Sequence, residues 1–158
     1  MSIEKVREYL KEFGKDKDVL EFDVSSATVE LAAKALSLTP GHIAKTLSFE
    51  GKDGECILIV AAGDEKIDNR KFKDKFGFKA KMLSHDQALA LTGHAVGGVC
   101  PFALPEGVKV YLDESLKRFE FVYPAAGSSN SAVKMTPDEL YTASRALEWV
   151  DVCKLPEA

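Results

Sequence analysis

Nowhere in this sequence do apolar residues run on for the ~18 positions a membrane-crossing helix needs, and the opening stretch MSIEKVREYLKEFGKDKD is charged where a secretion signal would be apolar. No membrane partner is expected, and the reading is a soluble, cytoplasmic protein. Cysteine is scarce: Cys56, Cys100 and Cys153 are odd in number and widely spaced, so they offer neither a closed disulfide framework nor a CxxC metal clip. Free thiols in a reducing compartment are expected, with no metal site. The pattern GxxxxGK[ST] is absent, which removes a P-loop, and nothing else in the chain asks for a cofactor. Repeats, low-complexity tracts and Pro/Ser-rich linkers are also missing, so residues 1–158 read as one domain.

The composition is that of an ordinary globular protein, and a chain of 158 residues should bury roughly 68–70% of its unfolded surface without help from a metal or a disulfide. Its net charge of −4 argues against a general nucleic-acid coat protein, and DNA is not an expected partner. That charge is uneven, however. Between Lys66 and Lys81 seven bases face two acids, giving +5 locally and leaving −9 for the remainder. Arg70, Lys71, Lys73 and Lys75 lie at the centre of this segment, interleaved with Phe72, Phe76 and Phe78. The pattern fits an amphipathic helix with aromatic residues inward and lysines in water; the same lysines would serve as a landing surface for RNA phosphates.

Apolar periodicity predicts a first helix through Ile3, Val6, Leu10 and Phe13, capped by Ser2 and ended by Gly14. A strand at 19–24 and a helix at about 28–38 follow, and then two β runs, 44–49 and 56–62, joined by the polar GKDG turn. A short helix at about 68–76 closes on Gly77, before a strand at 78–83 and a helix from the Ser84/Gln87 capping pair to Gly93. Residues 108–113 and 119–123 read as strands, Thr136, Pro137 and Glu139 as a helix start, and 148–153 as a last strand. Helices interspersed with hairpin-like strand pairs indicate an α+β single domain with a mixed sheet.

Chemistry is concentrated in the glycine-rich stretch GHAVGGVCPFAL, Gly93 to Leu104. Gly93, Gly97 and Gly98 permit close backbone approaches, and Pro101 fixes the exit, so several N–H groups can converge on an anion or oxyanion. A tight helix-to-strand connection explains the same glycines. Lys45, in IAKTLSF, shares a strand face with Ile43 and Leu47, and either snorkels at a strand end or enters a pocket where its ammonium suits a phosphate. Cys100 and His94 invite a thiol mechanism, but no fixed spacing or third orienting residue supports one. Ser25, Ser26 and Thr28 form a polar cluster before a helix, with capping as the simple explanation. The run GSSNSAVKM, with Gly127, Ser128 and Asn130, either recognises polar substrate groups or makes a turn between strands.

Together, KTLSF at 45–49, GHAVGGVCPFAL at 93–104 and GSSNSAVKMTPDEL at 127–140 resemble the YbaK/EbsC family, also called the prolyl-tRNA synthetase-associated domain. The resemblance covers nearly the whole chain. It implies a mixed, partly barrel-like sheet with helices packed outside, and hydrolysis of the ester of mischarged tRNA, a trans-editing activity directed at a small amino acid on tRNA-Pro or a related tRNA. Its key lysine falls on Lys45 and its glycine-rich loop on Gly93, Gly97, Gly98, Pro101 and Phe102. On this reading Lys45, Gly97 and Gly98 are the catalytic set. Gly93, Val99, Pro101, Phe102, Ala103, Thr28, Gly127, Ser128 and Asn130 bind substrate, and the acceptor end of tRNA is the partner, together with an aminoacyl-tRNA synthetase. Many relatives have Gly where this chain has Ala103, and a methyl there is expected to narrow the pocket mouth. The competing reading is a non-catalytic tRNA- or synthetase-binding module of the same fold.

Overall fold

A computed structural model describes residues 2–95 and 99–156 of the chain. Helix α1 (Ser2–Lys11) buries Val6 and Leu10 completely, and the chain then passes through β1 (Val19–Glu21) and helix α2 (Val29–Leu36). The Ser2 cap expected of α1 rests on a side chain outside the described set. Strands β2 (Ile43–Glu50) and β3 (Cys56–Ala62) form the anticipated antiparallel hairpin, with Ala44 opposite Ala62 and Glu50 opposite Cys56. A two-residue strand β4 (Lys66–Ile67) leads into α3 (Asn69–Phe76) and α4 (His85–Thr92). The rest comprises β5 (Lys109–Asp113), β6 (Tyr123–Pro124), β7 (Ser131–Val133), α5 (Pro137–Ala143), β8 (Glu148–Val150) and β9 (Cys153–Lys154).

The central sheet has the order β6-β2-β3-β5-β8, in which only the β2–β3 hairpin is antiparallel. All seven residues of β3 are buried, as expected of a central strand covered on both faces. Bridges from Val122 to Met135 and from Ala125 to Ala132 carry the arc past β6 to the β7–β1 pair, while β4 and β9 pair with each other. The result is a mixed, partly barrel-like sheet with helices on its outside. Even-numbered residues of β3, with Val110 and Leu112, join the cluster shared with α1, α5 and Phe102; odd-numbered ones join the cluster shared with Phe72 of α3 and Val152.

Side-chain caps set the helix starts. Thr28 accepts from Leu31 N, Asp68 from Arg70 N and Lys71 N, and both Ser84/Gln87 and Thr136/Glu139 close reciprocal boxes; each such cap is worth about 1 kcal/mol. At the other end of α4, Gly93 takes φ +79 and its N–H reaches Leu89 O, a left-handed turn that glycine enters without penalty.

Four strand expectations need correction. The first strand stops at Glu21 rather than 24, because Phe22 N already bonds the loop carbonyl of Asn130. Residues 78–83 form no strand: Phe78 turns onto Phe72, and a single bridge, Met82 to Phe49, fixes the segment at the end of β2. Residues 119–123 contribute only β6, because Glu114–Arg118 coils into a 3-10 turn, and Pro124 has no N–H to extend a ladder. The final strand is broken at 151–152, where Val152 N turns inward to the Asp113 carboxylate at 2.9 Å, so β8 joins the main sheet and β9 joins β4.

Candidate active site

Strand β2 is paired unevenly along its outer edge. Its first residues, Ile43 and Ala44, pair with β6; near its end Leu83 N donates to Ser48 O (3.0 Å) and Glu50 N to Lys81 O (2.8 Å). Main-chain groups alternate sides along an antiparallel strand. Since Ile43 O faces Gly63 of the hairpin and Ser48 O faces outward, those of Thr46 face outward too. Among the described residues no strand pairs with 45–47 on that side. A cavity of 410 Å³ opens over this gap, walled by residues 26–29 ahead of α2, by β2, by the 82–88 approach to α4, by the β6–β7 region and by Val99.

Lys45 lies in the wall of that cavity, half-buried, and its Nζ donates to the main-chain carbonyl of Glu65. The Glu65 turn is itself held. Arg118 Nη2 is 3.3 Å from the Glu65 carboxylate, Arg118 Nη1 donates to Asp64 at 3.2 Å, and Arg118 Nε donates to Ser115 O at 3.1 Å. Gly63, at the head of this turn, has no room for a side chain: a Cβ would meet Pro40 O at 2.4 Å and Val29 Cγ1 at 2.6 Å. The turn is therefore wedged against α2, and with it the anchor of the lysine. Burial pushes the Lys45 ammonium below its ordinary value, opposed by Cys153, Asp64, Glu30 and Glu65. An ammonium carries three donors, so the Glu65 bond leaves capacity for an anionic or carbonyl ligand.

The other face of β2 presents Ala44, Thr46 and Ser48 to the cavity. Thr46 Oγ1 is buried and, among the described residues, has no hydrogen-bond partner. Sequence reasoning passed over Thr46, along with His85 and Tyr123, which also line the cavity. Alternation puts Thr46 on the face opposite Lys45, but nothing in the sequence marks a strand threonine as functional; its unpartnered hydroxyl does so only in the fold.

The remaining candidates divide. Thr28 and Val99 line the cavity, Thr28 while also capping α2 at 3.2 Å. Gly97 and Gly98 lie outside the described residues. Gly93 caps α4 away from the cavity wall, Pro101 is buried, and Phe102 is fully buried in the main core, 6.4 Å from the Tyr9 ring. Ala103 does not line the cavity and packs against the main core; its distinction is a left-handed backbone at φ +53. Glycine would enter this conformation without penalty, so the side chain here bears on the backbone, and the expectation that the Ala103 methyl narrows the pocket mouth is not met among the described residues. Gly127 turns with φ +92, Ser128 bonds Asn130 and Ser131, and Asn130 Nδ2 donates to Phe22 O at 3.0 Å. Asn130 thereby ties the 127–131 loop to the segment after β1, and none of the three lines the cavity, to which this region contributes Ser131 and Ala132.

His94 and Cys100 do meet, with Nε2 and Sγ 3.5 Å apart, but deep in the core. Burial pushes the Cys100 thiol up to about 12, against bonds to the Phe102 and Gly127 backbone, and lowers the His94 imidazole. His94 Nε2 donates to Phe102 O at 2.8 Å, so this nitrogen is unavailable as a base. The pair fastens the exit of the glycine-rich loop. Cys56 and Cys153 are buried as expected of packing residues.

Helix α3 packs on the opposite side of the sheet from α1 and α5, through Phe72 and Phe76. Lys71 pairs with Asp151 at 3.0 Å and Lys75 with Glu148, whereas Arg70 and Lys73 are exposed on the same helix. No helix among the described residues is long and apolar enough to cross a membrane.

An open strand edge, a clamped lysine and a cavity that Val99 of the glycine-rich stretch helps to line define a class of small-ligand site on a mixed α+β domain. Residues 23–143 match the aminoacyl-tRNA editing domain, and the chain belongs to that family. It is 53% identical to YwhH of Bacillus subtilis (strain 168), a protein described as uncharacterized, over 98% of both chains. It is 25% identical, over 72% of this chain and 70% of the other, to an Enterococcus faecalis protein provisionally named Cys-tRNA(Pro)/Cys-tRNA(Cys) deacylase EbsC. A crystal structure described provisionally as a trans-editing enzyme for prolyl tRNA synthetase superposes with a TM-score of 0.86 at 29% identity, covering 97% of each chain.

Proposed function

We propose that this protein is a trans-editing aminoacyl-tRNA deacylase, hydrolysing the ester that links a small, wrongly attached amino acid to tRNA-Pro or a related tRNA. The observation that carries the reading is the position of Lys45 in the wall of the 410 Å³ cavity, which Val99 of the glycine-rich loop also lines. The relatives' descriptions as a deacylase and as a trans-editing enzyme support the same chemistry.

In this mechanism Lys45 anchors the phosphate or ribose of the terminal adenosine. Backbone N–H groups at Gly97 and Gly98 hold the carbonyl oxygen as it gains charge, and water attacks the ester carbon. His94 and Cys100 are occupied in the core, so proton removal falls to the substrate, through its free ribose hydroxyl or the side chain of the amino acid. Positioning and oriented donors then supply most of the rate, and one well-placed oxyanion donor is worth ~10²–10³. Contact with the body of the tRNA falls to Arg70 and Lys73, with Lys71 and Lys75 as the ion-paired flank. A synthetase that charges the same tRNA is the second partner.

Release of amino acid from a panel of purified mischarged tRNAs tests the reading. Hydrolysis of at least one small aminoacyl ester, well above the spontaneous rate, is expected. Binding of tRNA without release from any member would favour a non-catalytic accessory module.

A further inference from the structure

Thr46 Oγ1 stands out among the described residues as a buried side-chain polar atom with no partner, and Thr46 lines the cavity. Leaving such a group unbonded is costly, and a hydroxyl both donates and accepts. Three other hydroxyls on the cavity wall are engaged: Thr28 in its cap, Ser26 with Ser129 O at 3.3 Å, Ser131 with Ser128 at 2.6 Å. The wall that shares the cavity with Thr46 includes Ala44, Ala88, Ala125 and Ala132 alongside Ile43 and Leu83. A largely apolar wall beside a buried hydroxyl that lacks a partner makes a chamber for a small group that is itself a hydroxyl donor and acceptor.

From this geometry we infer that Thr46 is the specificity-determining residue of the cavity, and that it selects aminoacyl groups bearing a β-hydroxyl, seryl or threonyl, over alanyl. The inference rests on the deacylase reading above and names the substrate class of that site. A β-hydroxyl pairs with Thr46 Oγ1, whereas an alanyl methyl leaves that oxygen orphaned. Sites built to bond a substrate hydroxyl reject the analogue that lacks it much more strongly than apolar pockets reject an added one.

The test compares kcat/KM on one tRNA charged with serine, threonine or alanine, for the wild type, Thr46→Val and Thr46→Ser. A wild-type preference for the hydroxylated esters of about tenfold or more is expected, with the seryl-to-alanyl ratio collapsing in Thr46→Val and surviving in Thr46→Ser. An unchanged ratio in a folded Thr46→Val protein overturns the inference. So does a wild type that prefers the alanyl ester. Thr46→Val keeps the β-branched shape and removes the orphan oxygen, so its Tm should rise; should it fail to fold, a ratio in Thr46→Ala equal to the wild type's overturns the inference just as well. If the wild type hydrolyses no ester, the deacylase reading has failed, and non-hydrolysable amide-linked seryl- and alanyl-adenosine decide the inference by binding. Tighter seryl binding that Thr46→Val erases supports it, and equal binding overturns it.

Discussion

The two faces of the β2 strand are built from different materials. One turns Leu47 and Phe49 toward Phe72, Phe76, Phe78 and Tyr111, whose rings lie 4.7–6.3 Å from their neighbours. The other turns Ala44, Thr46 and Ser48 toward a cavity of 410 Å³. Aromatic side chains on the first face fill space and seal the sheet against α3. On the second face, small side chains leave room that no neighbouring strand among the described residues occupies. Lys45 belongs by alternation to the sealed face, yet its residue also borders the open edge, and the Glu65 carbonyl holds its ammonium there. The difference teaches that a site can be made within one strand by changing side-chain size between its faces and withholding one stretch of strand pairing.

Phe72→Ala should break the sealed face. A fully buried ring with three aromatic neighbours is lost, and thermal or denaturant unfolding should show a loss of about 3–5 kcal/mol. On the open side, Lys45→Ala should lower deacylation by ~10²–10³ while leaving circular dichroism unchanged; full activity in that variant would remove Lys45 from the mechanism. Cys100→Ala should instead retain turnover, and a folded but inactive protein would revive the thiol.

The pH profile sharpens the contrast further. Burial lowers the Lys45 value below the ordinary 10.5, so the charged, active form is lost as pH rises. After subtraction of spontaneous hydrolysis, kcat/KM should show a falling alkaline limb centred below 10.5, and Lys45→Arg should move that limb upward. For stability the sign is reversed. The folded chain holds this proton less tightly than the unfolded one, so the Lys45 contribution improves as pH rises toward 10.5. The smallest effect is expected at Ala103→Gly. Relief of the left-handed backbone at φ +53, less the entropy glycine loses on folding, should stabilise by up to about 1 kcal/mol, read as a rise in Tm without a change in substrate preference.

Elements with strong local codes were legible in the sequence. The hairpin at β2–β3 followed from two apolar runs around GKDG, and α4 and α5 from capping boxes whose atoms lie within a few residues of one another. Residues 78–83 and 119–123 misled because most of their apolar content serves packing, as of Phe78 on Phe72 and Phe119 on His42, and strand pairing is left to Met82, Val122 and Tyr123. Within the site, strand alternation singled out Lys45 but left open whether it snorkels at a strand end or enters a pocket; the family resemblance pointed to the pocket, and Lys45 does line the cavity. Thr46 was not legible, since a threonine in a strand is ordinary until its hydroxyl is found without a partner.

The sequence by itself determined the helices, the central hairpin and the α+β class, because helix caps, turns and strand alternation act over a few residues, and three of its motifs carried the resemblance to the family. Only the tertiary structure decided that His94 and Cys100 meet inside the core, and that Arg118 clamps the turn holding Lys45. It alone decided that β6 and the 81–83 segment stop short of each other along β2 and leave a cavity between them. Each of those outcomes depends on segments far apart in the chain competing for the same strand edge or the same buried volume, and no local pattern records which of them wins.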